Sequence, residues 1–221
     1  MNRTLIKFCG MTNIDDVKFA SDTDIDFIGL IFAKESPRSL NLNQAEKIIN
    51  ACNNRKPTVG VFMNQTKDFI NNIINNISID FLQFHGNESE EFCKSFNKKY
   101  FKTISINNNT TNYDIEHKNS ASAFIIDNSK NSSSDGIGKT FDWSILENNI
   151  NLMELRDNNY FIAGGLNPDN IKNLIIKYQP KGLDVSSGIE HSVGKKDFNL
   201  MKKFIENVRI PDKESYEKNK L

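Results

Sequence analysis

The chain has 221 residues, with 28 basic and 28 acidic side chains and a formal net charge of zero. Without an excess of positive charge it lacks the electrostatic signature of nucleic-acid or anionic-membrane binding, so we expect neither partner. Near the N-terminus a charged residue occurs before any apolar run reaches the length of a signal peptide. No later apolar run is as long as a membrane span. The sequence therefore predicts a cytoplasmic protein, of a length that suits one α/β barrel domain.

Eight apolar runs of strand length recur along the chain, at residues 4–9, 26–32, 58–63, 81–85, 100–105, 122–127, 160–163 and 182–186. Helical spacing of apolar residues lies between them, at 14–20, 43–51, 67–77, 88–96 and 168–177. Strand and helix in alternation indicate a parallel sheet. Eight strands favour a closed (βα)8 TIM barrel over an open doubly wound sheet, which has the same local pattern.

Two segments depart from this regular pattern. Residues 106–121 have too few apolar positions for a full helix, so the fifth helix is expected to be short or irregular. Residues 211–221 are charged and almost free of large apolar groups. We therefore predict a barrel catalytic domain over 1–210 and a tail over 211–221 that frays or at most extends the last helix.

The cysteines are Cys9, Cys52 and Cys93, an odd number without Cys-x-x-Cys spacing or a histidine cluster. This pattern argues against disulfides and against a bound metal. Cys52 and Cys93 lie in helical stretches, where a free cysteine is usually a small buried hydrophobe. Cys9 differs because it ends the first predicted strand, where a thiol is placed to react.

In a barrel, the loops that follow the strands build the functional site at one face. The candidate residues at these strand ends are Cys9, Arg38, His85, Asp127, Gly164, Gly165, Asp184, Ser187 and Gly188. Side chains alternate along a strand, so an inward Cys9 implies that Lys7 also faces inward. An unpaired buried charge is costly, and we predict that Lys7 pairs with Asp184 or another inward acid. The alternative is that Lys7 extends to the lower rim.

Two loops have features that suit a phosphate group. Gly164-Gly165 follows the seventh strand and Ser187-Gly188 follows the eighth, and these loops usually form the phosphate site of such barrels. For either glycine loop alone, a tight turn is the simpler interpretation. The planar guanidinium of Arg38 suits binding of a substrate carboxylate. The alternative is that Arg38 is an exposed arginine without a role in binding. His85 is interpreted as a supporting group beside the site.

A glycine-rich stretch, Asp135-Gly136-Ile137-Gly138-Lys139-Thr140, ends in Gly-Lys-Thr. It is not the phosphate loop of nucleotide-binding proteins, because Ser133 occupies the position of that motif's first glycine. Residues 128–140 are predicted to form a mobile loop over the site, for which we consider a lid as one role.

An ordered series of motifs resembles the phosphoribosylanthranilate isomerase family over almost the whole chain. The motifs are Lys7-Phe8-Cys9-Gly10-Met11-Thr12, Ser36-Pro37-Arg38, Val59-Gly60-Val61-Phe62, Leu82-Gln83-Phe84-His85-Gly86, Gly138-Lys139-Thr140-Phe141-Asp142-Trp143, Ala163-Gly164-Gly165-Leu166-Asn167-Pro168-Asp169-Asn170, and Leu183-Asp184-Val185-Ser186-Ser187-Gly188-Ile189-Glu190, followed by Gly194-Lys195-Lys196-Asp197. Each motif is modest alone, whereas their common order is specific.

The resemblance implies a (βα)8 barrel without metal or organic cofactor that catalyses an Amadori rearrangement in tryptophan biosynthesis. It implies that the partner is a small phosphorylated substrate, and leaves a monomer or a homodimer open. By position, Asp127 resembles the general acid and Cys9 the general base. Arg38 matches the residue for the anthranilate carboxylate, and Asp184 lies close to the sugar. The matching phosphate site is the backbone around Gly165, Ser187 and Gly188.

These roles place opposite demands on the two reacting groups. Cys9 must lose its proton and needs a nearby positive charge, for which Lys7 is the candidate. Asp127 must carry a proton, which desolvation in a closed site favours.

Some observations leave other interpretations open. Asp135 and Ile137 stand where the family commonly has a small, flexible loop, so loop motion or affinity is expected to differ. The histidine-pathway aminoaldose isomerase performs the same rearrangement, but its pattern has an aspartate at the end of strand one, where this chain has Cys9. A non-catalytic barrel is a further alternative, against which the intact Cys9, Asp127 and Arg38 argue.

Overall fold

The computed structural model describes residues 3–51, 56–106, 116–127 and 159–218, without the side chains of 214–218. Eight parallel strands close a barrel in chain order, which confirms the predicted TIM barrel. They are β1 Leu5–Phe8, β2 Phe27–Ile31, β3 Thr58–Phe62, β4 Phe81–Phe84, β5 Tyr100–Ser105, β6 Ala123–Asp127, β7 Tyr160–Ala163 and β8 Gly182–Val185. Each strand lies within the range predicted from its apolar run.

The helices follow the strands on the outside of the barrel. They are α1 Ile14–Ser21, α2 Leu42–Asn50, α3 Lys67–Asn76, α4 Glu90–Lys94, α5 Ile171–Tyr178 and α6 Phe198–Lys218, with 3-10 turns at Glu116–Asn119 and Ser187–Ile189. The side chains of Asn13, Asn41, Thr66 and Ser89 accept backbone N–H groups at the starts of α1 to α4, respectively. Between β5 and β6 the described residues form the 3-10 turn, and residues 107–115 of the predicted irregular fifth unit lie outside the described residues.

The predicted helix at residues 168–177 starts too early by three residues. Asn167 accepts a hydrogen bond from the Asp169 N–H at 2.9 Å, and Asn170 bridges the Asn167 N–H and the Gly165 carbonyl at 3.0 and 2.9 Å. These local side-chain bonds hold a turn and compete with helix formation. Proline therefore precedes the helix here instead of opening it. The helix predicted at 88–96 is likewise shorter, because Ser89 caps it.

The barrel interior is divided into an aromatic lower layer and a polar upper layer. Leu5, Phe27, Phe81, Phe101 and Phe161 fill the end where the strands begin. Two residues further along their strands, the next inward-facing side chains form the upper layer, which contains Lys7, Gln83, Thr103 and Asp184. Because the aromatic layer fills the lower end of the barrel, the polar layer is accessible only from the end where the strands finish. We call this end the mouth.

The hairpin β9 Glu190–Ser192 and β10 Lys195–Lys196 follows β8 and was not predicted. It is fixed to α1, because the Asp16 carboxylate accepts the Lys196 backbone N–H at 2.8 Å. At the opposite end of the barrel, α6 continues past residue 210, and Asp212 binds the Thr4 hydroxyl at 2.7 Å. The division into a 1–210 domain and a tail stays a prediction. None of the helices described here is long and apolar enough to cross a membrane.

Candidate active site

Cys9 lies at the mouth directly after β1 and is buried. Its backbone is held at both ends, since the Cys9 N–H donates to the Val185 carbonyl at 2.8 Å and its carbonyl accepts Lys196 Nζ at 2.7 Å. Gly10 then turns the chain with a φ of 69°, a left-handed conformation that suits glycine. The thiol is therefore carried on a rigid strand end.

Lys7 and Asp184 form a buried ion pair below this thiol. Their residues are register partners on β1 and β8, and Lys7 Nζ donates to Asp184 Oδ2 at 2.8 Å. The predicted pair is thus confirmed, and the alternative of a lysine at the lower rim is wrong. Burial lowers the pKa of Lys7, but the Asp184 carboxylate and Cys9 more than offset this and leave it raised. Lys7 is therefore a permanent ammonium group at neutral pH.

Gly29 on β2 provides the space in which the thiol and the ammonium meet. A Cβ at Gly29 would lie 2.7 Å from the Cys9 sulfur and 3.1 Å from Lys7 Nζ. The Cys9 sulfur and Lys7 Nζ therefore border the same space, and Lys7 acts to lower the pKa of Cys9. The charge that the sequence analysis required beside Cys9 is thus present.

This nearby charge nevertheless does not lower the pKa of Cys9 overall. Burial raises the pKa of Cys9, and Lys7 opposes this effect without outweighing it. A Lys7 ammonium already neutralised by Asp184 offers less stabilisation to a second anion. In the ligand-free protein Cys9 is therefore mainly a thiol at neutral pH.

We expect a thiolate titration to show this raised pKa directly. The ultraviolet absorbance of thiolate, measured against pH as the difference between the wild type and Cys9→Ser, should rise only above the ordinary cysteine range near about 8.5. Cys93 is present in both proteins and cancels; it is buried in α4, and burial raises its pKa to about 12. A difference titration centred below the ordinary value would contradict the dominance of burial.

Asp127 ends β6 at the mouth with His85 beside it. The distance from His85 Nε2 to Asp127 Oδ2 is 3.3 Å, and the aspartate side chain is 9% exposed. Burial lowers the pKa of His85, although Asp127 opposes this effect. The imidazole is therefore neutral at pH 7, which agrees with a supporting role for His85.

Arg38 is bound to another residue of the mouth, Glu190. Its Nε and Nη2 donate to the two oxygens of Glu190 at 2.7 and 2.6 Å. This bidentate pair uses one edge of the guanidinium and leaves the edge formed by Nη1 and Nη2 for another acceptor. The predicted contact with a substrate carboxylate stays a prediction.

The two glycine loops proposed for phosphate lie against each other. A Cβ at Gly188 would be 1.8 Å from the Leu166 carbonyl oxygen, so only glycine permits this approach. Gly164 and Gly165 have φ of 82° and 68°, and nothing lies within 4 Å of a Cβ at Gly165. Gly165 and Ser187 are exposed and line open space at the mouth. Their assignment to a phosphate site remains a prediction.

Glu190 and Lys196 are mouth residues to which the sequence analysis gave no role. Lys196 Nζ donates to Glu190 Oε1 at 2.8 Å and to the Ser186 carbonyl at 3.0 Å, and both charged side chains are buried. The sequence feature that could have identified them is the pair of opposite charges at the two ends of the segment 190–196. Pairing them required the hairpin that brings those ends together.

The segment 128–140, with the proposed lid, and Cys52 lie outside the residues that the structure describes. Within the described ranges, no group of three or more His, Cys, Asp or Glu side chains is arranged to hold a metal ion.

Comparisons with known proteins identify the family. The family model for N-(5′-phosphoribosyl)anthranilate (PRA) isomerase matches residues 6–207. An N-(5′-phosphoribosyl)anthranilate isomerase of Legionella pneumophila (strain Paris) is 38% identical over 211 residues, which cover 94% of this chain and 98% of the relative. The corresponding protein of Xanthomonas euvesicatoria pv. vesicatoria (strain 85-10) is 35% identical over 218 residues, 95% of each chain.

Solved structures agree with these relatives. A Thermotoga maritima structure, described as monomers generated from a dimeric phosphoribosylanthranilate isomerase, is 29% identical with a TM-score of 0.76, covering 93% of this chain and 98% of that one. A phosphoribosyl anthranilate isomerase solved in complex with reduced 1-(o-carboxyphenylamino)-1-deoxyribulose 5-phosphate is 27% identical, with a TM-score of 0.75 and the same coverage. With its closed barrel and these relatives along nearly its whole length, the chain belongs to the N-(5′-phosphoribosyl)anthranilate isomerase family.

Proposed function

We propose that this isomerase converts N-(5-phosphoribosyl)anthranilate into 1-(2-carboxyphenylamino)-1-deoxyribulose 5-phosphate, with Asp127 as general acid and Cys9 as general base. The observation that carries the proposal is the convergence of a thiol and a carboxyl group on one barrel mouth, each with its own neighbour. Lys7 Nζ and the Cys9 sulfur both lie next to Gly29, and His85 lies beside Asp127. Family membership supports the reaction, and the geometry supports the assignment of roles.

The first step opens the ribose ring. Asp127 gives a proton to the ring oxygen as the bond from that oxygen to C1′ breaks, and the anthranilate nitrogen supplies the electron pair that forms a protonated imine. Neutral His85 lies beside Asp127, with 3.3 Å between His85 Nε2 and Asp127 Oδ2. The position of Asp127 at the end of a buried strand limits competition from water.

The second step moves a proton from C2′ to Cys9. The electrons of the C2′–H bond form a C=C bond as the imine becomes an enolamine, which then tautomerises to the ketone. Cys9 accepts the C2′ proton as a thiolate, so its own proton leaves to solvent before this step. The imine cation that forms near Cys9 stabilises this thiolate, and so does Lys7. Carbon C2′ is oxidised and C1′ is reduced within one molecule, so the electrons balance without an external oxidant or reductant.

The remaining mouth residues bind the ends of the substrate. The free edge of Arg38 binds the anthranilate carboxylate, and backbone N–H groups around Gly165, Ser187 and Gly188 bind the phosphate. Asp184 accepts a ribose hydroxyl, because its Oδ1 is buried and has no hydrogen-bond partner among the described residues.

Substitution of Arg38 by alanine should raise KM by about 10- to 100-fold, the expected loss for a hydrogen bond between charged groups. The kcat value should change much less, because the carboxylate lies away from the reacting carbons. Steady-state kinetics separates the two effects, and an unchanged KM would remove Arg38 from the substrate contacts.

Genetic complementation tests the proposed function in a cell. Expression of the chain in a tryptophan auxotroph that lacks only this isomerase should restore growth without tryptophan. The Cys9→Ser variant, expressed at the same level, is the matched control and should not restore growth. Failure of the wild type, present as a soluble protein, would contradict the proposal.

A further inference from the structure

Glu190 is the described residue that binds the guanidinium of Arg38. The side chain of Glu190 is 4% exposed, and that of Arg38 is 16% exposed. No second side-chain or backbone acceptor for this guanidinium occurs among the residues that the structure describes. The stem of Arg38 passes so close to Gly10 that a Cβ there would lie 2.6 Å from Arg38 Cδ. Arg38 is thus held at its stem by Gly10 and at its head by Glu190.

Glu190 is itself fixed by groups that belong to other parts of the mouth. It is the register partner of Lys196 across the hairpin, where opposite charges stabilise the pairing. Lys196 Nζ extends from Glu190 to the carbonyls of Cys9 and Ser186. One buried ion-pair network therefore connects the arginine, the backbone of the proposed base and the loop that precedes Ser187.

We infer that Glu190 is a positioning residue that aims the free edge of Arg38 at the substrate carboxylate. Glu190 binds the Nε and Nη2 edge, and a guanidinium is planar, so the direction of the Nη1 and Nη2 edge is set by Glu190. A prepositioned fork binds a carboxylate with less loss of side-chain entropy than a mobile one. The inference rests on the proposed function, because it requires the carboxylate as the ligand of Arg38.

The Glu190 carboxylate also acts against substrate binding, because it repels the substrate carboxylate and competes for the same arginine. Two features favour positioning. The edge that Glu190 occupies is not the edge left for substrate. In addition, burial lowers the pKa of Lys196 and Glu190 opposes this effect, so loss of the Glu190 charge favours loss of the Lys196 proton. Loss of the Lys196 proton opposes the change in net charge, whereas the free edge of Arg38 loses its fixed direction.

The test compares two ligands on the Glu190→Gln variant. One is reduced 1-(o-carboxyphenylamino)-1-deoxyribulose 5-phosphate, and the other is the same compound made with aniline, which lacks the carboxylate. Calorimetric titration should show about tenfold weaker binding of the first ligand and less than about twofold change for the second. In the Arg38→Ala background, Glu190→Gln should produce no further loss of this discrimination.

Two more variants separate positioning from general structural damage. Asp212→Asn is the matched control, because Asp212 binds a half-buried arginine, Arg209, at 2.9 Å at the far end of the barrel. It should leave both affinities unchanged. If Glu190→Gln does not fold, Glu190→Asp retains the charge but is one methylene too short for both contacts, and it should show the same selective loss.

The outcomes distinguish this inference from the proposed function. A wild type that binds both ligands equally would contradict the carboxylate contact of Arg38 and, with it, the inference, whereas a wild type that binds neither ligand would contradict the proposed function. A wild type that discriminates, with a Glu190→Gln variant that discriminates equally, would overturn only the positioning role. Tighter binding by the variant would identify Glu190 as a competitor, and equal weakening of both ligands would make its role purely structural. Either result contradicts the inference.

Discussion

Replacement of Cys9 by serine is expected to lower kcat by roughly 10²- to 10⁴-fold, the usual contribution of a general base. A serine hydroxyl ionises far less readily than a thiol, so the variant cannot accept the C2′ proton, although it has nearly the same size. Lys7 and Asp184 still form their pair below it. The reduced product analogue should therefore bind with almost wild-type affinity. Steady-state turnover and calorimetric binding together measure the two quantities.

Cys93→Ser is the matched control for this experiment. Cys93 is fully buried in α4, away from the mouth, so the same change of sulfur to oxygen tests the cost of the substitution itself. It should reduce stability and leave kcat of the folded protein unchanged. A Cys9→Ser variant with wild-type kcat would remove Cys9 from the mechanism.

The Asp127→Asn variant should lose kcat to a similar extent, roughly 10²- to 10⁴-fold, because an amide cannot donate a proton to the ring oxygen. The amide has the size of the carboxyl group and can still accept a hydrogen bond from His85, so binding of the product analogue should persist. Substrate whose ring has already opened would bypass the step that Asp127 serves. Kinetics with ring-closed substrate therefore shows the defect most clearly.

Asp80→Asn provides the same substitution at the other end of the barrel. The Asp80 carboxylate binds the Thr58 N–H at 2.7 Å where β3 begins, so its loss should affect stability and not turnover. If Asp127→Asn retained wild-type kcat, or if Asp80→Asn lost as much activity, the assignment of Asp127 as the acid would be wrong.

The sequence predicted those features that depend on strand periodicity. Carboxyl ends of parallel strands meet at one face, so Cys9, His85 and Asp127 could be assigned to one mouth once the eight strands were recognised. Alternation along β1 and the cost of an unpaired buried charge were sufficient to predict the Lys7–Asp184 pair across 177 positions.

Other features depend on local hydrogen bonds or on burial, which periodicity does not encode. The start of α5 at Ile171 follows from the side-chain bonds of Asn167 and Asn170. The Arg38–Glu190 pair spans 152 positions and requires the hairpin after β8. The raised pKa of Cys9 results from burial opposed by Lys7, and the sequence identified only the second of these two effects.

The most direct test of the central claim is turnover by the purified wild-type protein. N-(5-phosphoribosyl)anthranilate is unstable and should be generated in situ from anthranilate and phosphoribosyl pyrophosphate, and its conversion followed by the change in anthranilate fluorescence. We predict enzyme-dependent conversion that is proportional to protein concentration, with the rearranged ketose phosphate as product. No conversion above the uncatalysed rate by folded protein that binds the product analogue would contradict the account.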